Sequence, residues 1–130
     1  MTGTLVYDAG ALVAADRQNR RIWTLHYASL EAGSLPVVPT PALVQVFRDG
    51  ARQVNLARLL KGCRELPLDG ALARRAGRLC GVASTADVTD AVVAVVAVDF
   101  AAALVTSDPG DLAHLLGHLR SGGRVEIVKV

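Results

Sequence analysis

The sequence predicts an α/β protein with a parallel sheet of about five strands flanked by helices. Short β-branched runs alternate with segments of helical apolar spacing along the whole chain. Apolar residues make up 52% of the composition and are mostly Ala, Val and Leu, which suits strands that are buried on both faces. A chain of 130 residues can form one compact domain but not two of ordinary size, so we expect a single domain over residues 1–130.

The first elements follow from apolar spacing and from residues that start or stop helices. Residues 4–7 form a β-branched and aromatic run that predicts a strand, and the helix formers of residues 9–15 predict a helix directly after Asp8. Residues 20–32 carry an apolar stripe of helical period, which Gly33 is placed to end. The stripe includes Trp23 and Tyr27, which we interpret as core or oligomer contacts.

The next segment predicts a strand and a helix that begins with a proline. Residues 36–38 are a brief strand candidate. Thr40 and Pro41 then provide a helix N-cap and a first-turn proline. We expect this helix to reach Arg48 or beyond, unless Gly50 interrupts it.

The middle of the chain is predicted to be helical with one short extended piece. Residues 56–60 and 71–79 have helical spacing, and residues 63–68 lie between them in an extended segment. Pro67 lacks a backbone N–H, which restricts this segment to an edge of the sheet.

The valine-rich segment of residues 87–101 is ambiguous. Its valines favour a strand, whereas its length and interspersed alanines favour a buried helix, and we predict a helix. Residues 104–106 are the next predicted strand, residues 107–116 a short helix, and residues 125–130 a final strand.

Charge is distributed unevenly along the chain. The formal net charge of +2 is too small to indicate a nucleic-acid partner by itself. A basic first half followed by an acidic second half fits metal-assisted phosphate chemistry, although solvated helix faces would look the same. The basic residues are Arg17, Arg20, Arg21, Arg48, Arg52, Arg58, Lys61 and Arg64, and the acidic ones are Asp87, Asp90, Asp99, Asp108 and Asp111.

Cysteine usage and hydropathy set the remaining expectations. Cys63 and Cys80 form no C-x-x-C pair, so we expect free, buried thiols. The longest apolar stretch, residues 91–98, is far shorter than the roughly 20 residues of a membrane-spanning helix, and we recognise no signal peptide. We therefore expect a cytoplasmic protein with no membrane partner.

Several aspartates lie where a parallel sheet binds ligands. Asp8 and Asp108 each follow a predicted strand, and the carboxyl ends of parallel strands share one edge. Each could simply cap the helix after it, and Asp87 with Asp90 fits an N-cap with an acid in the first turn. Clustered carboxylates nevertheless repel one another unless a cation neutralises them, and an all-oxygen set suits Mg²⁺ or Mn²⁺.

Four motifs resemble one known family. The segments VYDAGAL (residues 6–12), PALVQVFR (41–48), DVTDA (87–91) and VTSDPGDL (105–112) occur in the order and at the spacings typical of PIN-domain ribonucleases. More narrowly, the chain resembles the VapC toxins of bacterial VapBC toxin–antitoxin pairs. The resemblance covers nearly the whole chain and implies a PIN-like fold.

The resemblance also implies roles for individual acids. It places Asp8, Asp90 and Asp108 as catalytic metal ligands, with Asp111 as an additional ligand and Asp87 as a nearby auxiliary candidate. Gln45 stands where most members of the family carry a glutamate. A glutamine offers an oxygen but no charge, which puts the binding of two metal ions in doubt.

The implied activity is Mg²⁺- or Mn²⁺-dependent cleavage of RNA, in which the ions activate a water and stabilise charge on the phosphate. The implied partners are an RNA substrate, a VapB-like antitoxin and a second copy of the chain in a homodimer. From the predicted helix, Arg48 and Arg52 would share a face with Gln45 and could bind RNA phosphate, or Arg48 could only pair with the acids.

Other functions fit parts of the sequence. Gln45 favours a catalytically weak or inactive PIN scaffold that binds RNA or an antitoxin. A receiver-type phosphoacceptor domain would need an acidic pair after the first strand and an aspartate after a middle strand, and both are missing. His114 and His118 have the i, i+4 spacing of a zinc pair but lack the glutamate of H-E-x-x-H, so we interpret them as ordinary helix residues.

Overall fold

The computed structural model describes residues 3–130 and contains a five-stranded sheet in which every pairing is parallel. The strand order β3-β2-β1-β4-β5 places β1 at the centre. The strands are β1 (Leu5–Tyr7), β2 (Val37–Pro39), β3 (Arg64–Leu66), β4 (Ala103–Thr106) and β5 (Ile127–Lys129). The predicted α/β class with a parallel sheet is confirmed.

Burial differs between the centre and the edges of the sheet. Every residue of β1, β2 and β4 is buried, whereas β3 is largely exposed. Pro67 follows this edge strand directly, as predicted from its missing N–H. The central strands therefore form a rigid base for the residues that follow them.

Within residues 3–130, seven α-helices cover the sheet, and a short 3-10 helix, Gly122–Arg124, precedes β5. The helices are α1 (Ala9–Asp16), α2 (Arg20–Glu31), α3 (Thr40–Val46), α4 (Val54–Leu60), α5 (Gly70–Ala83), α6 (Val88–Asp99) and α7 (Pro109–Leu116). The valine-rich segment is a helix, as predicted, and residues 91–97 of α6 are all buried. It packs between α5, α7 and the sheet, which explains why its apolar residues surround the helix.

Local signals set several helix ends. Gly33 follows α2 with a φ of +79°, a left-handed conformation that glycine adopts without a steric penalty. The Asn19 side chain accepts a hydrogen bond from the Ile22 amide at 3.1 Å, and Asp69 caps α5 in the same way at 2.8 Å.

The predicted extent of α3 is wrong at both ends. The N-cap is Pro39, and the hydroxyl of Thr40 instead accepts a hydrogen bond from the Leu68 amide at 3.2 Å. The helix ends at Val46, because the Gln53 side-chain amide donates to the Val46 carbonyl at 2.9 Å while its oxygen accepts from the Arg48 amide at 2.8 Å. These bonds replace those that a further helical turn would make.

The aromatic and sulfur-containing residues are only partly as expected. Trp23 is buried and its indole N–H donates to the Ala15 carbonyl at 2.9 Å, whereas Tyr27 is half exposed. Cys63 and Cys80 are free, as predicted, but each is partly rather than fully buried.

Within residues 3–130, no single helix is both long and apolar enough to cross a membrane. Only α5 and α6 taken together, with a bend of 112° between them, reach the required length and composition.

Candidate metal centre

Asp8 joins the end of β1 to the start of α1. Its backbone N–H donates to the Val105 carbonyl of β4 at 3.3 Å, and its carboxylate oxygen Oδ1 accepts from the Ala11 amide at 2.8 Å. The residue is only 6% exposed. Asp8 therefore does cap α1, and it also holds a buried carboxylate at the carboxyl edge of the sheet.

The loop after β4 positions a second aspartate. The Thr106 hydroxyl is fully buried and accepts a hydrogen bond from the Asp108 amide at 3.0 Å, which fixes the turn into α7. Asp108 occupies the N-cap position of α7, but its side chain makes no capping hydrogen bond. The capping alternative is therefore wrong for Asp108, whose exposed carboxylate is available to a ligand.

Three more carboxylates meet where α6 and α7 begin. Asp87 is the N-cap of α6 and accepts from the Asp90 amide at 3.0 Å, while Asp111 lies in the first turn of α7. One ligand oxygen from each of Asp87, Asp90 and Asp111 lies within 4.8 Å of the other two. These three side chains, here called the acidic triad, can hold one divalent cation between them.

Two of the carboxyl groups at this edge, those of Asp8 and Asp90, have raised pKa values. Burial raises the pKa of Asp90 to about 7, with further contributions from the charge of Asp87, its hydrogen bond to Asp90, and the charges of Asp8 and Asp111. The pKa of Asp8 is also raised, chiefly by burial and further by Asp108, although the Thr106 hydroxyl and nearby backbone amides oppose this. A bound cation would stabilise both ionised carboxylates.

The predicted acids thus occupy one region but do not form one tight group. Among the described residues, Asp90 and Asp111 belong to the acidic triad, whereas Asp8 and Asp108 lie outside it. The charge of Asp8 contributes to the raised pKa of Asp90, and the charge of Asp108 contributes to that of Asp8. Asp87, which the sequence suggested only as an auxiliary residue, is a full member. Its position one helical turn before Asp90 was the signal that indicated this closeness.

The arginines predicted beside Gln45 are arranged differently. Because α3 ends at Val46, the predicted helical face shared by Gln45, Arg48 and Arg52 is wrong. Arg48 folds back, and its Nη1 donates to the Val44 carbonyl at 3.0 Å and to the Phe47 carbonyl at 2.8 Å. Arg52 is highly exposed and forms a long ion pair of 3.8 Å with Asp49. Gln45 lies exposed in the last turn of α3.

His114 and His118 lie side by side with ring centroids 5.0 Å apart. The Nε2 atom of His114 is within 3.2 Å of the Ala83 carbonyl, which provides a partner for its N–H. In residues 3–130, the acidic triad is the only group of three or more potential ligands that meets at metal-binding distance, and it includes neither histidine.

One close contact was not predicted from the sequence. Gly10, at the start of α1, lies directly against Ser107, so that a Cβ atom at position 10 would overlap the Ser107 Oγ and stand 3.2 Å from its backbone nitrogen. Glycine therefore allows α1 to approach the loop that carries Asp108. The only sequence signal was a glycine within a helix-forming segment.

Comparison with known proteins supports the fold. No protein-family model matches the chain, and no curated protein matches it. Among solved structures, the crystal structure of VapBC2 from Rickettsia felis bound to a DNA fragment from their promoter contains a similar chain with a TM-score of 0.71. The two chains are 11% identical, and the likeness covers 98% of each. The protein therefore has the PIN-like α/β fold that the sequence motifs implied.

Proposed function

We propose that this chain is a Mg²⁺- or Mn²⁺-dependent endoribonuclease that acts as the toxin of a type II toxin–antitoxin pair. The observation that carries the proposal is the convergence of five aspartates at the carboxyl edge of a PIN-like sheet. Three of them are the acids that the family resemblance assigns as catalytic. Metal dependence and RNA cleavage are inferred from these side chains, because a fold by itself does not specify a reaction.

The donor set fits a hard cation. In the proposed site, Asp8, Asp90 and Asp108 are catalytic metal ligands, and Asp111 binds directly or through water. Asp87 joins them because its carboxylate belongs to the acidic triad. Carboxylate oxygens without any thiol or imidazole suit Mg²⁺ or Mn²⁺ better than zinc. When bound, such an ion supplies an activated water and stabilises negative charge on the phosphate.

Hydrogen bonds within the chain orient the proposed metal ligands. Thr106 holds the backbone of Asp108, the Ala11 amide holds the carboxylate of Asp8, and Asp87 holds the amide of Asp90. These hydrogen bonds fix the ligands on rigid elements before any ion or substrate arrives, which lowers the cost of binding.

The proposed partners are inferred from the assembly in which the similar chain was solved. The Rickettsia felis structure is a VapBC2 assembly on promoter DNA. By analogy, we propose that a separately encoded VapB-like antitoxin restrains this chain in the cytoplasm and that the chain forms a homodimer. Induction of the chain alone should arrest growth of a host in which it is folded, and co-expression of its antitoxin should restore growth. Normal growth with abundant folded protein would contradict the toxin role.

A weaker alternative is a PIN scaffold that binds RNA or an antitoxin without cutting. Gln45 favours it, because an uncharged residue replaces the usual glutamate. A titration of RNA cleavage against Mn²⁺ separates the two functions, since a scaffold would show no metal-dependent cleavage at any concentration.

The decisive experiment is RNA cleavage by matched aspartate variants. Asp8→Asn, Asp90→Asn and Asp108→Asn should each lower the Mg²⁺-dependent rate at least ~100-fold, the usual order for loss of a group that orients or stabilises the reaction. The control is Asp69→Asn, because Asp69 caps α5 and asparagine is an equally good cap. Cleavage by all four variants at the parent rate would show that these acids do not form the site.

A further inference from the structure

A groove lies beside the acidic edge, between α1 and the loop that follows β4. It encloses about 280 Å³ and is lined by Gly10, Val13, Ala14, Arg17, Asn19 and Ser107. No acidic side chain is among these lining residues. The groove is therefore close to the aspartates in space but different from them in charge.

One end of the groove is at the proposed metal centre. Gly10 lies two residues after Asp8, and Ser107 immediately precedes Asp108. From there the groove follows one face of α1, because residues at positions 10, 13, 14 and 17 share a helical face. With a rise of 1.5 Å per residue, Arg17 lies about 10 Å further along the axis than Gly10.

The far end of the groove is basic, because Arg17 lines it and Arg20 and Arg21 directly follow the lining residue Asn19 along the chain. Arg17, Arg20 and Arg21 are all exposed, and within the described part of the chain the ion pairs involve other arginines, Arg52 and Arg75. The neighbouring Asp16 forms no ion pair with them within residues 3–130, and its carboxylate accepts a hydrogen bond from the Leu56 amide at 3.2 Å.

The polar lining provides further donors. The oxygen of the Asn19 side chain is occupied in capping α2, so its NH₂ group remains a donor. The hydroxyl of Ser107 is another donor at the opposite end of the groove. The lining therefore combines hydrogen-bond donors and a positive charge with small side chains at Gly10 and Ala14, which allow close approach of a ligand.

We propose that this groove binds the sugar-phosphate backbone of single-stranded RNA, with Arg17 contacting a phosphate next to the one at the metal centre. The inference rests on the proposed nuclease function, which places one phosphate at the aspartates and requires the strand to continue from there. A positive groove without acids or aromatic rings fits the charged backbone and reads no base, so binding should be tolerant of sequence.

Binding is tested in EDTA, which prevents metal-dependent cleavage and keeps the RNA intact. Fluorescence anisotropy of a short fluorescein-labelled single-stranded RNA, measured at several salt concentrations, gives the affinity and its salt dependence. Arg17→Ala should weaken binding roughly tenfold, the effect expected for one charge-assisted contact. It should also reduce the slope of log affinity against log salt by about 0.7.

The matched control is Arg124→Ala. Arg124 is an exposed arginine that lines a different groove beyond the carboxyl-terminal end of α6, whereas the acidic triad lies at the amino-terminal end of that helix. This substitution should leave RNA affinity unchanged. Equal affinities of Arg17→Ala and Arg124→Ala would overturn the groove proposal.

A triple variant tests the whole basic end. Arg17→Gln, Arg20→Gln and Arg21→Gln together should fold well, because removing two positive charges from the start of α2 favours its dipole and offsets the loss of one from the end of α1. Their combined loss of affinity should exceed that of Arg17→Ala. The corresponding control carries the same loss of charge, at Arg78, Arg120 and Arg124.

The result is distinguishable from failure of the nuclease proposal. If the parent cleaves RNA but Arg17→Ala binds it normally, the groove assignment is wrong and the nuclease stands. If the parent does not cleave but binds RNA through Arg17, the groove assignment stands and the nuclease proposal fails. Undetectable RNA binding by the parent at low salt would overturn the groove assignment, and the cleavage assay would then decide the nuclease separately.

Discussion

Asp87 accepts a hydrogen bond from the backbone amide of Asp90 at 3.0 Å, and its charge adds to burial in raising the pKa of the Asp90 carboxyl. One side chain thus stabilises the start of α6 and creates electrostatic repulsion there. Helix capping and membership of an acidic cluster are compatible in this geometry, because one oxygen can cap the helix while the other faces the cluster.

The first prediction concerns the pH dependence of stability without metal. The pKa of Asp90 is about 7 in the folded protein against the usual 3.8, so the folded state binds more protons than the unfolded state between these values. The free energy of unfolding in EDTA should therefore decrease as pH rises from about 4 to 7. The raised pKa of Asp8 acts in the same direction.

Asp90→Asn should remove most of this dependence, as measured by urea unfolding across that pH range. At neutral pH it should raise the free energy of unfolding by about 1–2 kcal/mol, after allowance for the partial exposure of the pair. The control is Glu126→Gln, which removes an exposed carboxylate near β5. A parent and an Asp90→Asn variant with parallel pH profiles would contradict the prediction.

The second prediction concerns metal binding without any substrate. Mn²⁺ should raise the Tm of the parent, because it binds the folded state and relieves repulsion among the carboxylates. At a Mn²⁺ concentration roughly a hundredfold above the dissociation constant, the free energy of unfolding should increase by about 3 kcal/mol. Differential scanning fluorimetry should show that Asp90→Asn loses most of the Mn²⁺ shift while Asp69→Asn keeps it. An equal shift in both variants would place the ion elsewhere.

The third prediction concerns the contact between Gly10 and Ser107. Gly10→Ala should force the Ser107 hydroxyl to move and displace the loop that carries Asp108. We expect RNA cleavage to fall about tenfold or more, since small displacements of catalytic groups are costly. Combining it with Ser107→Ala removes the overlapping oxygen and should restore most of the rate. Ser107→Ala alone is the control, because it measures what loss of the groove hydroxyl costs by itself. A double variant much slower than Ser107→Ala and as slow as Gly10→Ala would show that the overlap is not the cause.

The fourth prediction concerns Gln45. If it lies near the metal centre, Gln45→Glu adds one negative charge and should tighten Mg²⁺ or Mn²⁺ binding, with a larger effect on a second ion than on the first. The metal concentration for half-maximal cleavage should then decrease. Isothermal titration of Mn²⁺ into both proteins, beside a cleavage assay, tests this. The control is Gln18→Glu, because Gln18 is an exposed glutamine after α1. Gln53 is unsuitable because its side chain ends α3. Unchanged binding and cleavage would place position 45 outside the site.

Local signals in the sequence predicted most elements of the fold. Apolar periodicity identified α2 and α5, Gly33 identified the end of α2, and Pro67 restricted β3 to an edge. Length and alanine content predicted a helix for the valine-rich α6, whereas the valines themselves favoured a strand. The helix is largely buried, which explains why its sequence is so rich in valine. These signals succeed because they depend on residues that are close along the chain.

The sequence by itself also determined which residue types could bind a metal, and that Asp8 and Asp108 would reach one edge of the sheet. Tertiary structure alone decided that Asp111 of α7 meets Asp87 and Asp90 of α6, because this contact depends on how two helices pack. It also decided that the Gln53 side chain ends α3 before Arg48, and that Gly10 lies against Ser107. The contacts between α6 and α7 and between Gly10 and Ser107 join residues that are distant along the chain, and the Gln53 bonds close an irregular loop. Periodicity and propensity report none of these contacts.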